Sequence, residues 1–334
     1  MTTEMLNFSH GRSALKFGLQ YLKLRTDDSI FIPDFICDIV LQPITDLGIG
    51  YDYYSLNDDL SPNWNSVKEQ LTSKTKAILM VHYFGFPQNI DDFQNFCNKH
   101  NLLLIEDNAH GFGGLFNGRE LGTFGDISIN SLRKTLSLLS GGQLLLNNSE
   151  DSEINKTIKL LPRFKVFKSQ SVLNRILNRN YFFKSFVRFL LKKQPKYWDP
   201  YEFREKKILD CRIDLLSEKK LKTINVDDVA KKRRALYLIW EKFAVKKGIT
   251  PVFSKLNDGV VPLVFPAYVL NATERRGWFN WGWENRYNVH SWPTLPGLVI
   301  QENRPGFAQW DKLICFPTDL SMDVDLLEKK LSKL

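Results

Sequence analysis

Long apolar runs and clustered cysteines are missing from this sequence. No apolar stretch approaches the roughly 20 residues that a membrane-spanning helix needs, and the start, MTTEMLNFSHGRS, lacks the basic and then apolar order of a signal peptide. The cysteines are few and too far apart for a CxxC motif: Cys37, Cys97, Cys211 and Cys315. We interpret them as reduced core thiols, which predicts a cytoplasmic protein that needs neither a disulfide nor a metal for stability.

Two common phosphate-binding signatures are also missing. Gly111, Gly113 and Gly114 do not have the spacing of a GxGxxG motif, and neither GxxxxGKS nor GxxxxGKT occurs. The sequence therefore disfavours a nicotinamide-dependent Rossmann enzyme.

Acidic residues are absent from residues 155–198, which contain twelve lysines or arginines. The 334-residue chain carries a formal net charge of +9, so the rest of it is slightly acidic. Within this basic insertion, residues 181–193 have helical spacing but are too few to cross a bilayer. Three roles stay open for the insertion: weak contact with a membrane surface, binding of a diphosphate substrate, or packing as a solvated dimer element. No RNA-binding module is recognisable, so nucleic acid is not expected as a partner.

Apolar runs of strand length alternate with stretches of helical spacing. Continuous apolar character is typical of strands that are covered on both faces, so the pattern predicts an α/β fold with a parallel sheet. A long helix at Val226–Lys247 and a strand at Val260–Val269 indicate a second unit. We place the boundary so that residues 1–222 form a large domain with the basic insertion and residues 223–334 a small one. The strands predicted for the large domain are Ile30–Pro33, Ala77–Val81, Leu102–Ile105 and Gln143–Leu146.

The densest chemical signal lies between residues 105 and 148. Asp107 ends an apolar strand, and Lys134 follows in a run without acidic neighbours, before the Gly141–Gly142 pair and another apolar strand. Pyridoxal phosphate needs a carboxylate that keeps its pyridine nitrogen protonated and a lysine amine that joins its aldehyde. The order of these residues favours this cofactor, although a turn-capping aspartate and a solvated lysine are the simpler interpretations.

With these motifs the chain resembles the DegT/StrS family of pyridoxal-phosphate-dependent sugar aminotransferases. The resemblance implies a three-layer, mainly parallel sheet of the aspartate aminotransferase type and a smaller C-terminal α+β domain. It also implies a homodimer that moves an amino group from an amino acid, glutamate by analogy, to a nucleotide-linked keto sugar. The matching segments are Gly11–Leu15, Thr75–Ile78, Val81–Gly85, Asp107, Gly118–Arg119, Gly125–Asp126, Ser131–Lys134 and, more weakly, Phe316–Leu320.

The resemblance assigns roles to the central residues. Asp107 would pair with the pyridinium nitrogen, and Lys134 would bind the cofactor covalently and move the substrate proton. The phosphate would lie at the start of a helix, on Gly11, Arg12 and Ser13, where unpaired amides favour an anion. Ser131 is a second phosphate ligand, although the family has its serine at the position that Ile129 occupies here.

Two positions depart from the family pattern. His110 stands where the family usually has glutamine; a neutral imidazole can donate a hydrogen bond to the cofactor's phenolate oxygen, and a core histidine is the alternative. The α-oxoamine synthases, which share the cofactor and fold type, have histidine here, so the reaction type is the open question. Cys37, rather than Phe35, falls in the register of the residue that covers the cofactor ring. His82 ends its strand at the same rim and is a further candidate.

Substrate contacts are expected from the second unit. Trp278, Trp281, Trp283 and Trp292 cluster near His290 in sequence and would suit a nucleotide base or an aromatic core. Arg163 is a candidate for reaching the cofactor phosphate of the neighbouring subunit.

Two further classes of function stay open. One is another enzyme on the same cofactor, a synthase or a sugar dehydratase, although the family's dehydratases have histidine in place of Lys134. The second is a non-catalytic membrane- or polyanion-binding protein that uses the basic insertion on the same scaffold.

Overall fold

The computed structural model describes residues 3–147, 153–166, 180–194, 196, 199, 208–291 and 294–334. Trp292 and parts of the basic insertion therefore lie outside the described residues. Among those described, no helix combines the length and the apolar character that crossing a membrane requires. The architecture is a three-layer α/β fold of the aspartate aminotransferase type with a smaller C-terminal part, as predicted.

A seven-stranded sheet forms the centre of the large part. Its strands are Glu4–Phe8 (β1), Ser29–Pro33 (β2), Gly50–Tyr54 (β3), Thr75–Val81 (β4), Leu103–Asp107 (β5), Ile127–Asn130 (β8) and Gly142–Leu146 (β9), and a hairpin of Leu115–Phe116 (β6) and Arg119–Glu120 (β7) follows β5. The order across the sheet is β1-β9-β8-β5-β4-β2-β3. Strands β2, β3, β4, β5 and β8 run parallel to one another, whereas β9 is antiparallel to both β1 and β8. Because helices cover the sheet, most residues of its strands are buried.

Helix α1, at Gly11–Tyr21, packs closely on the sheet. Gly18 permits this approach, because a Cβ there would lie 2.6 Å from Ile127 of β8 and 2.9 Å from Leu144 of β9. The remaining helices before β9 are α2 (Leu41–Asp46), α3 (Trp64–Glu69), α4 (Ile90–His100) and α5 (Leu132–Thr135).

A row of hydrogen-bonded side-chain amides runs across the sheet at the carboxyl ends of its parallel strands. Asn108 donates to Asn130 over 2.8 Å, and Asn130 donates to Gln143 over 2.8 Å. Gln143 in turn donates to Asn7 over 3.1 Å. These bonds link the ends of β5, β8, β9 and β1 and thereby fix their relative register.

The C-terminal part is built on a three-stranded antiparallel sheet in the order β10-β11-β12. Trp240 of the long helix packs its ring on Phe316, with centroids 4.8 Å apart, and donates from its indole nitrogen to the carbonyl of Pro317 over 2.8 Å. The strands are Thr250–Pro251 (β10), Val264–Tyr268 (β11) and Leu313–Pro317 (β12); the helices after β9 are Glu153–Leu160 (α6), Tyr181–Leu190 (α7), Leu215–Leu221 (α8), Val226–Lys246 (α9), Ala272–Glu284 (α10), Gly297–Gln301 (α11), Pro305–Lys312 (α12) and Val324–Leu331 (α13).

The four strands predicted in the large part are present, but one prediction about direction was wrong. The apolar run Gln143–Leu146 predicts a parallel strand, but it forms the antiparallel strand β9. A strand buried on both faces has the same apolar run in either direction, so its sequence does not report its polarity. The division of the chain at residue 222 stays a prediction.

Candidate active site

The carboxyl end of the sheet opens into a cavity of about 610 Å³. It is bordered by the end of β5, the start of α1 and helix α5, and on the other side by loops of the C-terminal part. Of the predicted site residues, those that line it are Gly11, Arg12, Cys37, Asp107, His110, Ser131 and Lys134.

Asp107 is the last residue of β5, so the strand itself carries its carboxylate to the cavity. The side chain is buried, and Oδ1 accepts a hydrogen bond from the amide of Ala109 over 3.0 Å. Burial raises the pKa of this carboxyl above its ordinary value, and a positive charge on Lys134 would oppose the rise. The carboxylate is therefore held in a low-dielectric site where a cationic partner would be bound strongly.

Lys134 lies on the short helix α5, which Ser131 precedes. Its Nζ is 3.1 Å from Nε2 of His110, 24 residues earlier in the chain. Solvent reaches the lysine through the cavity, but the surrounding protein removes enough water to lower the pKa of the amine. Cys37 and Asp107 act in the opposite direction and favour the charged form.

His110 is buried beside the lysine and forms part of the cavity wall. Its Nδ1 accepts a hydrogen bond from the backbone amide of Phe84 over 3.2 Å, and the two rings stack at an angle of 19° with centroids 5.8 Å apart. Burial holds the pKa of the imidazole well below its ordinary value. The ring is therefore neutral around pH 7.

The glycine pair noted in the sequence brings α1 and the lysine helix together. The amide of Gly141 donates to the carbonyl of Ser9 over 2.7 Å, and its carbonyl accepts from the amide of Arg133 over 3.3 Å. At Gly142 a Cβ would lie 2.1 Å from the carbonyl of His10, so a side chain cannot be accommodated there. Glycine at 142 thus permits the start of α1 to lie directly against β9.

Two arginines lie close together where the start of α1 meets helix α5. Arg12 and Arg133 both line the cavity, and burial together with the Arg133 charge lowers the pKa of Arg12. Burial and the same two guanidinium groups lower the pKa of His10 to about 4, so this histidine is neutral at pH 7. Two mutually repelling guanidinium groups beside a helix N-terminus form a site for an anion. Arg133 was missed in the sequence, because its proximity to Arg12 depends on the fold.

Ser13 is not among the residues that line the cavity. Its hydroxyl is buried and donates to the carbonyl of Leu209 over 2.7 Å, away from the predicted phosphate site. The structure thus gives no support to its predicted role. Ser131, by contrast, lies next to Gly11, where an added Cβ would be 3.6 Å from the Cβ of the serine.

Cys37 lines the cavity, whereas Phe35 is fully buried and does not. The Cys37 sulfur lies 3.3 Å from the hydroxyl of Thr294, which itself donates to Asp38 over 2.6 Å. Thr294, which no sequence motif marks, therefore links the C-terminal part to the segment after β2. His82 is also outside the cavity wall, because it pairs with the buried Glu106.

The comparisons with known proteins agree with this architecture. The DegT/DnrJ/EryC1/StrS aminotransferase family matches residues 2–246.

The chain belongs to the DegT/DnrJ/EryC1/StrS aminotransferase family.

Relatives of this family include enzymes that act on nucleotide sugars. The chain is 31% identical over 154 residues to a GDP-perosamine synthase of Vibrio cholerae, covering 46% of this chain and 42% of the relative. It is 28% identical over 139 residues to a dTDP-4-dehydro-2,3,6-trideoxy-D-glucose 4-aminotransferase of Saccharopolyspora spinosa, covering 41% of this chain and 36% of that protein. The matched regions thus span about two fifths of these relatives.

A solved structure extends the likeness in fold to the whole chain. PseC of Helicobacter pylori, an aminotransferase involved in the biosynthesis of pseudoaminic acid, has a TM-score of 0.71 and 17% sequence identity. The alignment covers 100% of this chain and 86% of PseC.

The far wall of this family member's cavity comes from the C-terminal part and from α7. His290 lies there, and its Nδ1 is 3.0 Å from the carbonyl of Asn288, which is the geometry of a donated N–H. Tyr181 of α7 accepts a hydrogen bond from the amide of Asn288 over 2.6 Å. Neither Asn288 nor Tyr181 was selected from the sequence, because each reaches the cavity only through long-range packing.

Of the four tryptophans predicted near a nucleotide, the three that the structure describes, Trp278, Trp281 and Trp283, do not line the cavity. Trp281 stacks on Phe243 at 26° with centroids 5.3 Å apart, and Trp278 packs edge-on against Phe316. Trp283 contacts Phe189 of α7. The aromatic-core interpretation therefore fits the three described tryptophans better.

Arg163 has partners within its own chain. It donates to the carbonyl of Ile213 over 3.2 Å and pairs with Glu218 at 2.9 Å. These contacts hold its guanidinium group within the chain, and a role toward a neighbouring subunit stays a prediction. Among the residues described, no group of three or more histidine, cysteine, aspartate or glutamate side chains forms a metal site.

Proposed function

We propose that this protein is a pyridoxal-phosphate-dependent aminotransferase that moves an amino group from an amino acid, glutamate, to a nucleotide-linked keto sugar. The observation that carries the proposal is the convergence of Asp107 and Lys134 on one cavity, with His110 in contact with the lysine. Family membership gives the reaction class its context.

The residues present fit the cofactor at both of its ends. Asp107 offers a buried carboxylate for a cationic ring nitrogen. Arg12, Arg133 and the first amides of α1 offer positive charge and donors for a phosphate. Cys37 also lies on the cavity wall and is our candidate for covering the ring.

When bound, pyridoxal phosphate supplies an aldehyde that accepts an amine and a ring that withdraws electrons from it. The protein's contribution is positioning and proton transfer. Asp107 would hold a positive charge at the ring nitrogen, and Lys134 would provide the amine that joins the aldehyde. Lys134 would also act as the base that moves the substrate's proton. Positioned acid–base catalysis of this kind contributes about 10²- to 10⁴-fold in rate.

The cavity has the size of a small-molecule site, and part of its wall is polar. Its volume of about 610 Å³ falls within the range of about 300–1,000 Å³ that is typical of small-molecule sites. His290, Ser291, Thr318 and Asp319 present polar groups on the wall formed by the C-terminal part. These groups suit the hydroxyls of a sugar better than an apolar acceptor.

The test is a spectrum followed by a half-reaction. Purified protein mixed with pyridoxal phosphate should show the visible band of a lysine-bound cofactor, and glutamate alone should convert that band to the pyridoxamine form. Lys134→Ala should lose both effects, whereas Lys220→Ala, which changes an exposed lysine, should keep them. A normal spectrum in Lys134→Ala would refute the assignment.

The same test distinguishes an aminotransferase from another type of enzyme on this cofactor. A synthase on this cofactor would not generate pyridoxamine phosphate from glutamate alone, and the presence of Lys134 argues against a sugar dehydratase. His110 is the observation that keeps this alternative, because the family pattern has glutamine there. A cofactor band without conversion by any amino acid would favour this alternative.

We further propose a cytoplasmic homodimer whose amino-sugar product enters polysaccharide biosynthesis. The dimer is the usual arrangement implied by the family resemblance. Light scattering during size-exclusion chromatography should give twice the mass of the 38.9 kDa chain.

Helix α7 also favours a weak membrane-surface contact. It leaves apolar side chains exposed at Phe183 (49%), Phe186 (38%) and Leu190 (62%), among basic residues such as Lys192. Two copies paired through this helix would bring like charges together, whereas an anionic lipid surface would complement them. Co-sedimentation with vesicles containing anionic lipid should fall in a Phe183→Ser/Phe186→Ser variant, but not in Leu270→Ser, which changes an exposed leucine elsewhere.

A further inference from the structure

A left-handed residue stands directly beside the site. Phe84 has φ 56° and ψ 17°, a conformation that is rare for an aromatic residue, and only 3% of it is exposed. Gly85 follows with φ 92°, where a Cβ would be 2.2 Å from the carbonyl of Val261. Left-handed residues that are held by close packing often mark a functional constraint.

This turn directs the amide of Phe84 at His110. The N–H donates to Nδ1 over 3.2 Å, and the ring of Phe84 stacks on the imidazole. A ring nitrogen that accepts a hydrogen bond carries no proton. The imidazole is therefore neutral and holds its proton on Nε2.

The protonated nitrogen is the one that faces the lysine. Nε2 of His110 lies 3.1 Å from Nζ of Lys134. An ammonium group can only donate hydrogen bonds, so a charged Lys134 would point one of its N–H groups at the N–H of Nε2. The amine fits the contact when it is neutral, because its lone pair then accepts from Nε2.

We infer that His110 is a positioning residue that keeps Lys134 as a neutral amine, and that the Phe84–Gly85 turn determines which imidazole nitrogen faces the lysine. The use of this neutral amine in catalysis rests on the proposed function, since the neutral form is the one that attacks an aldehyde. The proton arrangement itself is a property of the protein without cofactor.

The other charged groups around the lysine do not all act in this direction. Cys37, on the segment after β2, and Asp107, at the end of β5, favour the ammonium form. Arg133, on the same helix as the lysine, disfavours it. His290, from the C-terminal part, lies near His110 and opposes a charge on that ring. A donor at Nε2 therefore acts in the same direction as Arg133, toward the neutral amine, and opposes the effect of Cys37 and Asp107.

Glutamine at position 110 provides the decisive variant. A glutamine side chain has both a donor and an acceptor at its end, so it can turn its carbonyl oxygen toward an ammonium group. His110→Gln should therefore release the constraint while keeping a side chain that the family tolerates. Phe84→Gly should retain the amide donor and relieve the left-handed strain, so the histidine tautomer should persist.

The experiment uses the full chain without cofactor. Long-range ¹H–¹⁵N spectra of histidine-labelled protein, with His110→Gln for assignment, should show Nδ1 unprotonated and Nε2 protonated. Competitive acetylation followed by mass spectrometry should give Lys134 a pKa about one unit or more higher in His110→Gln than in wild type. Thermal melts should confirm that the His110→Gln variant is folded.

The outcomes are distinguishable from those of the proposed function. A proton on Nδ1, or equal lysine pKa values in a folded His110→Gln variant, would overturn the inference whatever the cofactor. A protonated Nε2 and a raised lysine pKa in the variant would support it, even if the protein then failed to bind pyridoxal phosphate.

Discussion

His82 donates a hydrogen bond from Nε2 to Oε1 of Glu106 over 2.9 Å, and both side chains are completely buried. The direction of this bond follows from the other ring nitrogen, which accepts from the amide of Gln88. Glu106 precedes Asp107 on β5. Its carboxylate also accepts from the amides of Gly122, Phe124 and Gly125 in the loop that leads into β8, and from the hydroxyl of Ser128 on β8. Glu106 thus links the two strands that deliver Asp107 and Lys134.

Glu106→Gln should destabilise the fold by about 3 kcal/mol at pH 7, because donors that now meet a carboxylate would be left without a charged acceptor. Urea unfolding measures the change, and Glu120→Gln on the exposed hairpin is the control. Burial alone would raise the pKa of Glu106, but the bond from His82 and the amides outweigh it and lower the pKa below 4.5.

A lowered pKa means that the stabilising contribution of Glu106 is fully present above pH 4.5 and is lost as the pH falls through the lowered value. The free energy of unfolding of the wild type should therefore approach that of Glu106→Gln only at acidic pH. A difference that widened on acidification would contradict this assignment.

Asp107→Asn should damage chemistry far more than cofactor binding. The neutral amide cannot stabilise a protonated ring nitrogen, so we expect kcat to fall by about a hundredfold or more, with less than about a tenfold change in cofactor Kd. Asp91→Asn, at an exposed helix position, should behave as wild type. Equal losses in binding and turnover would assign Asp107 to binding alone.

Arg133→Ala and Arg12→Ala should each weaken pyridoxal phosphate binding by about 10- to 100-fold, which corresponds to one charge-assisted hydrogen bond. Neither change should affect the binding of pyridoxal, which lacks the phosphate. Arg25→Ala, at an exposed position, serves as the control. A comparable loss for both ligands would show that the arginines do not contact the phosphate.

Ser13→Ala tests whether this serine stabilises the fold or binds the cofactor phosphate. Its hydroxyl bonds to the carbonyl of Leu209, so the variant should lose about 1 kcal/mol of stability and keep its affinity for pyridoxal phosphate. A weaker affinity at unchanged stability would restore the role that the sequence predicted for this serine.

Gly142→Ala should disrupt the contact between β9 and the start of α1, because its Cβ would lie 2.1 Å from the carbonyl of His10. We expect a loss of more than about 2 kcal/mol and weaker binding of the phosphate, measured by denaturation and cofactor titration. The matched control is Gly277→Ala, in an exposed part of a helix with nothing within 4 Å. This second change should stabilise the protein by about 0.5–1 kcal/mol.

The parts of the site that the sequence predicts are those encoded locally. Asp107 ends its own strand, and Lys134 precedes a glycine pair, so both are visible without knowledge of the fold. Ser13 was predicted to bind the phosphate, but its hydroxyl bonds to Leu209, which is distant in sequence. Arg133 was not predicted, because it approaches Arg12 only after α1 packs on β9. The tautomer of His110 depends in the same way on the left-handed turn at Phe84.

Identifying the residue that binds the cofactor tests the role of Lys134 most directly. The protein is loaded with pyridoxal phosphate, reduced with borohydride, digested and mapped by mass spectrometry. We expect one modified peptide, with the cofactor joined to Lys134 in near-stoichiometric amount. Modification spread over surface lysines, with Lys134 unmodified, would contradict it.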